Sequence, residues 1–160
     1  VVKLHCNVGD FSAADPRLEP LWELAAERGV PVVTHAGRRQ AADTAADELD
    51  GVAAVLAKHP GVRMVLAHSG SPSEARCVEL MERFPNLYAD LTPVMDRRVV
   101  IPGDALERLA GRFLFGSDAP NNPNSAKLLA SEREAEGLSA HALELLLGGA
   151  AERLVPLARE

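Results

Sequence analysis

Val32-Val33-Thr34-His35-Ala36-Gly37 and, one unit later, Val65-Leu66-Ala67-His68-Ser69-Gly70 decide how this chain reads. Each is a short run of β-branched and aliphatic residues that ends on a histidine and then turns on small residues. Working outward, five such runs recur: Val1 to His5, Val30 to His35, Val62 to His68, Leu87 to Leu91 and Arg112 to Gly116. Continuous apolar runs, as opposed to alternating ones, belong to strands buried on both faces, which is the condition of a parallel sheet. Between them lie longer stretches with helical spacing. Asp15-Pro16 supplies a cap and a first-turn proline, after which Leu18, Leu21, Trp22 and Ala25 share one face up to Gly29. A second helix is expected from about Ala42 to His59, with Val52, Val55 and Leu56 inward and Pro60-Gly61 turning back. Ser71-Pro72-Ser73-Glu74 reads as a capping box ahead of Val78, Met81 and Phe84. Asp104-Ala105-Leu106-Glu107 repeats that logic before Gly111, and terminal helices follow from about Ser125, Ser139 and Ala150. The fold class is therefore α/β, with five parallel βα units and C-terminal helices.

The whole chain, 1–160, reads as one domain, because 160 residues suit a single core and no Gly/Pro-rich linker interrupts them. Hydrophobic residues make up 47% and charged residues 25%, the balance of a globular protein. A net charge of −6 offers no electrostatic footprint for nucleic acid or an anionic membrane, so a small-molecule substrate is the expected partner. No apolar run approaches the roughly 18–20 residues that a bilayer span needs. Cys6 and Cys77 form neither a C-x-x-C pair nor a disulfide framework; they are expected to pack, in a reducing, cytoplasmic setting. Thr92 to Gly103, irregular and long, is expected to be a functional loop.

Chemistry in a parallel α/β sheet gathers where the strands end, since every βα loop opens on that side. The expected strand ends carry Lys3 and His5, His35, His68, Asp90 and Asp118, about 22–33 residues apart, each one βα unit from the next. They are placed to share one rim. Two neutral imidazoles and a carboxylate suit a divalent transition metal such as zinc, which lowers the pKa of bound water to about 7. His35, His68 and Asp118 are thus the candidate metal ligands, with Asp118 and His68 also the candidate catalytic groups. Lys3 and His5, two apart on one strand, face the same side, and one of them is expected to reach substrate. Asp90 either contacts substrate or caps a loop, and Arg38 either clamps a substrate carboxylate with Arg39 or is a solvated loop residue. His59 and His141, on helices among charged neighbours, read as solvated, and Trp22 reads as core.

In this order and spacing the motifs resemble the amidohydrolase-related proteins, the "amidohydrolase 2" branch of the metal-dependent hydrolases, over nearly the whole chain. Val2-Lys3-Leu4-His5 with Asp15-Pro16-Arg17-Leu18 is similar to that family's fourth strand and following helix. The strand ending at His35 resembles its fifth, whose His is a metal ligand, and the one ending at His68 its sixth, whose His binds a second metal or acts on substrate. Phe115-Gly116-Ser117-Asp118-Ala119-Pro120 resembles the eighth, whose Asp ligates metal and moves the proton of the attacking water. Leu147-Gly148-Gly149-Ala150-Ala151-Glu152-Arg153-Leu154 is similar to the family's ending, with Ala150 where Asn is common. The resemblance implies a partial TIM barrel, strands four to eight of a (β/α)₈, and a metal-dependent hydrolase of a small amide, ester or lactone. A non-oxidative decarboxylase of the same family is the alternative activity.

The family's first strand carries a His-x-His pair, which this chain lacks, so the chain is expected to be N-terminally incomplete and weakly active or inactive alone. Its free sheet edges are expected to invite homo-oligomer formation or pairing with a segment supplying the missing strands. A non-catalytic α/β module is the other class. Its doubly wound order would reverse about the first strand, whereas a barrel segment keeps neighbours in sequence. Neither G-x-G-x-x-G nor G-x-x-x-x-G-K-[ST] follows a strand, so a phosphate ligand has no support.

Overall fold

The computed structural model describes residues 1–37, 48–92, 99–117 and 137–155. Five strands, β1 (Val2–His5), β2 (Val32–His35), β3 (Met64–Leu66), β4 (Leu87–Asp90) and β5 (Phe113–Leu114), form one sheet in the order β1-β2-β3-β4-β5. All four pairings are parallel, with Val2 opposite Val32, Val32 opposite Met64, Met64 opposite Leu87 and Ala89 opposite Phe113. Sequential order without a reversal excludes the doubly wound arrangement and is what a barrel segment requires.

Each crossover is built by the local chemistry of its ends. After β1 comes the one-turn helix α1 (Cys6–Gly9), capped by His5, whose Nδ1 accepts the Val8 N–H at 3.3 Å. Asp15 then caps the turn Pro16–Leu18 by accepting from Arg17 N at 2.9 Å, and α2 (Glu19–Arg28) follows directly. The Arg17 guanidinium closes on the same carboxylate at 2.9 and 2.6 Å, holding Asp15 well below the usual carboxylate range, at about 2. Trp22 is core, as expected, and its indole N–H is satisfied by the Ala13 carbonyl at 3.0 Å. Helix α3 is described from Glu48 to Lys58, so the expected start near Ala42 falls outside the described residues.

Two expected caps take another form. Helix α4 (Glu74–Arg83) begins after Ser73 with no side-chain cap bond, so the Ser71–Glu74 capping box does not form; the chain before it is turned by left-handed residues. Helix α5 (Gly103–Leu109) starts one residue before Asp104, after Pro102, and leads through the turn Ala110–Arg112 into β5. There Arg112 donates to the carbonyls of Met81, Phe84 and Leu87 at 2.6, 2.9 and 3.3 Å, tying the end of α4 to the start of β4. Burial draws its guanidinium below the ordinary value, and the three carbonyls compensate for lost water. The later helices run Ala140–Glu144, capped by Ser139, and Ala150–Leu154, as expected from Ser139 and Ala150. The expected helix near Ser125 lies outside the described residues.

Strand parity divides the core. Val32, Met64, Leu66, Leu87, Ala89 and Phe113 face α2–α5 and join Trp22, Leu49, Leu56, Leu80, Met81 and Leu106 in the main cluster. The opposite face carries Lys3, His5, Val33, His35, Val65, Tyr88, Asp90 and Leu114. It is covered by the terminal helix, whose Ala150 and Leu154 pack with Val65, Leu114, Val33 and Tyr88. Arg63 anchors that helix by donating to the Leu154 carbonyl at 2.9 Å and, with its other Nη, to the Gly29 carbonyl. The apolar middle of this face is thus shielded within the chain, while Lys3 remains exposed. Both cysteines are fully buried, and burial, reinforced by the nearby carboxylates of Asp90 and Glu74, pushes the Cys77 thiol up to about 12. They pack, as expected. Among the described residues no helix is long and apolar enough to cross a membrane.

Candidate active site

Because β1 and β2 pair with His5 opposite His35, the two imidazoles leave the same face side by side. Their rings stack, with centroids 4.0 Å apart and planes 22° from parallel. His68, one strand further on, meets His35 edge to face at 4.8 Å and 61°. Three of the histidines expected at strand ends therefore come together at the carboxyl end of β1–β3.

His68 does not lie on its strand. β3 ends at Leu66, and Ala67–Gly70 form a tight turn in which His68 and Ser69 take left-handed φ values of 54° and 50°. Side chains rarely adopt that conformation, at a cost on the order of 1–3 kcal/mol each. The end of β4 compensates. Asp90 Oδ1 accepts from His68 N at 2.8 Å and Thr92 N at 3.1 Å, and Ser69 Oγ donates to the Asp90 carbonyl at 2.8 Å. One Asp90 oxygen is thus committed to holding the His68 turn. His68 Nδ1 lies 3.0 Å from the Thr92 carbonyl. A carbonyl only accepts, so Nδ1 carries a proton there, and in a neutral ring the lone pair is then on Nε2, the tautomer that a backbone carbonyl imposes on a metal-binding or proton-accepting histidine.

Close backbone approach brings these loops together. A Cβ on Gly37 would lie 2.7 and 2.8 Å from the carbonyl oxygens of Ser71 and Gly70, so only glycine lets the loop after His35 touch the loop after His68. A Cβ on Gly116 would collide with Thr92 Oγ1, the same relation between β5 and β4. Loops after adjacent strands therefore brace one another.

The residues fit a cation in part. Two imidazoles on one tetrahedral zinc, with Zn–N of about 2.0–2.1 Å, place their ring centroids about 5 Å apart and inclined to each other. His35 and His68 match that spacing and inclination. His5 and His35 do not, because stacked rings 4.0 Å apart hold their in-plane lone pairs in nearly parallel planes that share no nearby point. Among the described residues no three His, Cys, Asp or Glu side chains gather closely enough to hold a metal ion. Asp118, the expected third ligand, and Arg38, the expected carboxylate clamp, lie outside the described residues, and Lys3 lies on the same face, one side-chain step before His5.

The spacing gave no sign of Asn7, Glu48 and Thr92. Asn7 and Glu48 bond around His35, and Thr92 acts through its carbonyl, which every residue type possesses. His59, expected to be solvated, is instead largely buried, 3.1 Å from a Glu19 carboxylate that Lys58 also contacts at 2.7 Å. It borders a cavity of about 380 Å³ between α2 and α3, lined by Pro16, Glu19, Trp22, Val55 and Lys58, away from the strand ends. Lys58 and the His59 contact hold Glu19 below its ordinary range.

Order, parity and a histidine-lined strand-end rim define a segment of a barrel with its histidines at the mouth. The chain belongs to the amidohydrolase family, whose model matches residues 1–157. Among solved structures it is similar to an uncharacterised TIM-barrel protein from Bordetella bronchiseptica, at 26% identity and a TM-score of 0.69, over 90% of this chain and 52% of that one. It superposes on a dihydroorotase from Campylobacter jejuni at 18% identity and a TM-score of 0.69, covering 99% of this chain and 59% of the other. A 2,6-dihydroxybenzoate decarboxylase from Rhizobium matches at 15% identity and a TM-score of 0.59, over 90% and 56%. The chain thus spans between half and two thirds of these relatives, and its five strands are a partial TIM barrel. No curated protein matches it significantly.

Proposed function

We propose that this chain carries the metal-binding and catalytic rim of a metal-dependent hydrolase that acts on a small amide, ester or lactone in the cytoplasm. The observation that carries this reading is the inclined His35–His68 pair, with the His68 tautomer held by the Thr92 carbonyl so that Nε2 is the group on offer. His35 and His68, joined by Asp118, would hold a divalent cation, zinc in our reading. When bound, such an ion supplies a water whose pKa is lowered to about 7 and a Lewis acid toward a carbonyl oxygen. Asp118 would take the proton of the attacking water as general base, and His68 would orient the substrate or protonate it. Lys3, His5 and Arg38 are the proposed substrate contacts, the two cations suiting a carboxylate, and Asp90 acts on substrate through the His68 turn.

The test is zinc titration of the full 160-residue chain and of its His35→Ala, His68→Ala and Asp118→Ala variants. Carbon dioxide release and hydrolysis are assayed in parallel on a panel of small amides, lactones and aromatic acids. Zinc affinity that falls by about tenfold or more in each variant is the expected result, with at most weak hydrolysis of a lactone or amide by the chain alone. Carbon dioxide release instead would assign the decarboxylase chemistry. Zinc binding indifferent to all three substitutions would overturn the site.

A further inference from the structure

We propose that Asn7 and Glu48 form a clamp that positions His35; the inference rests on the reading of His35 as a ligand in the proposed site. Three observations converge on it. With its amide nitrogen turned toward them, Asn7 donates to Glu48 Oε2 at 2.6 Å and to the His35 carbonyl at 2.9 Å. The Gly37 N–H donates to the same Glu48 oxygen at 3.3 Å. Gly37 is in turn wedged against the Gly70 and Ser71 carbonyls.

The direction of the His35 ring depends on the backbone on either side of it. His35 ends β2, and a restraint on the peptide that follows steadies the direction of its ring. The clamp supplies that restraint: Asn7 holds the carbonyl of residue 35, and Glu48 holds the amide of residue 37. Asn7 is itself held, because it lies in the one-turn helix capped by His5, whose ring stacks on His35. Glu48 Oε2 accepts from both Asn7 and the Gly37 N–H, and a carboxylate acceptor makes each bond stronger than a neutral one would. Neither residue needs to touch substrate. They act through His35, as outer partners do when they orient a metal-binding histidine.

The experiment uses the full chain with Asn7→Ala, Glu48→Ala and Glu48→Gln. Three readouts are taken: amide hydrogen exchange at Gly37, the imidazole nitrogen resonances of His35 and His59, and zinc affinity. In Asn7→Ala and Glu48→Ala we expect exchange at Gly37 to accelerate about tenfold or more, His35 resonances to move while those of His59 stay, and zinc affinity to fall about 10–100-fold. Glu48→Gln, which keeps an acceptor oxygen, should remain near the native values. If Asn7→Ala does not fold, Glu48→Ala carries the same readouts. Unmoved exchange and unmoved His35 resonances in a folded variant would overturn the clamp. Faster exchange with unchanged resonances and zinc affinity would reduce it to a brace for the loop and overturn the positioning role. A native chain that binds no zinc would overturn the functional reading alone, since exchange and resonances are read without metal.

Discussion

The two faces of this sheet are built from alternate residues of the same strands, yet they do different work. One face sends Val32, Met64, Leu66, Leu87, Ala89 and Phe113 into a continuous apolar layer beneath α2–α5. The other carries aliphatic side chains only at its middle, Val33, Val65 and Leu114, which the short helix Ala150–Leu154 shields, and ends in His5, His35 and Asp90. Strand period forces this division: residues two apart share a face, so a strand ending in a polar residue on one side places its apolar neighbours on the other. The larger apolar cluster therefore lies on the face beneath α2–α5, and the histidines gather at the end of the other.

Breaking the thicker layer should cost most. Trp22→Ala, at a fully buried site with its indole N–H bonded, is expected to destabilise by about 3–5 kcal/mol, read as a fall in urea midpoint. Leu154→Ala removes one side chain from a helix only one layer deep, where neighbours can settle into the gap, so about 2 kcal/mol is expected. Equal losses for the two would show that the faces contribute alike and that the comparison fails.

At the rim, Asp90→Ala leaves the amides of His68 and Thr92 without their acceptor around a left-handed turn. We expect a loss of about 1–3 kcal/mol in urea unfolding, together with faster exchange of both amides, whereas Asp90→Asn, which keeps an accepting oxygen, should lose little. A silent Asp90→Ala would mean that the turn holds itself.

The smallest effect is expected outside both faces, at the Asp15 cap. Its carboxyl is held at about 2, below its ordinary value of 3.8, by Arg17. A folded-state pKa below the unfolded one stabilises fully above about pH 4, and that contribution disappears as pH falls from 4 toward 2. Arg17→Ala should return the Asp15 titration toward its ordinary value by NMR and flatten the acid limb slightly, and salt should mimic the change.

Much of this was legible in the chain. The recurrence of apolar runs at βα spacing read correctly as five parallel strands in order, because burial on both faces demands continuous apolar residues. His35 was legible as a strand-end histidine for the same reason, whereas His68 proved to lie in the turn two residues beyond β3. The Ser71–Glu74 cap misled, because Asp90 and Ser69 stabilise a left-handed turn there instead, and His59 misled, because α2 packs Glu19 and Trp22 beside it.

By itself, then, the amino-acid order determined which residues share a face and where each strand ends, since both follow from the two-residue period and from local caps. Only the tertiary structure decided that His5 stacks on His35, that His68 sets its Nδ1 against the Thr92 carbonyl, and that Asn7 and Glu48 meet around the loop after β2. Those depend on pairing register and on backbone carbonyls and amides, groups that every residue carries and that composition therefore cannot signal.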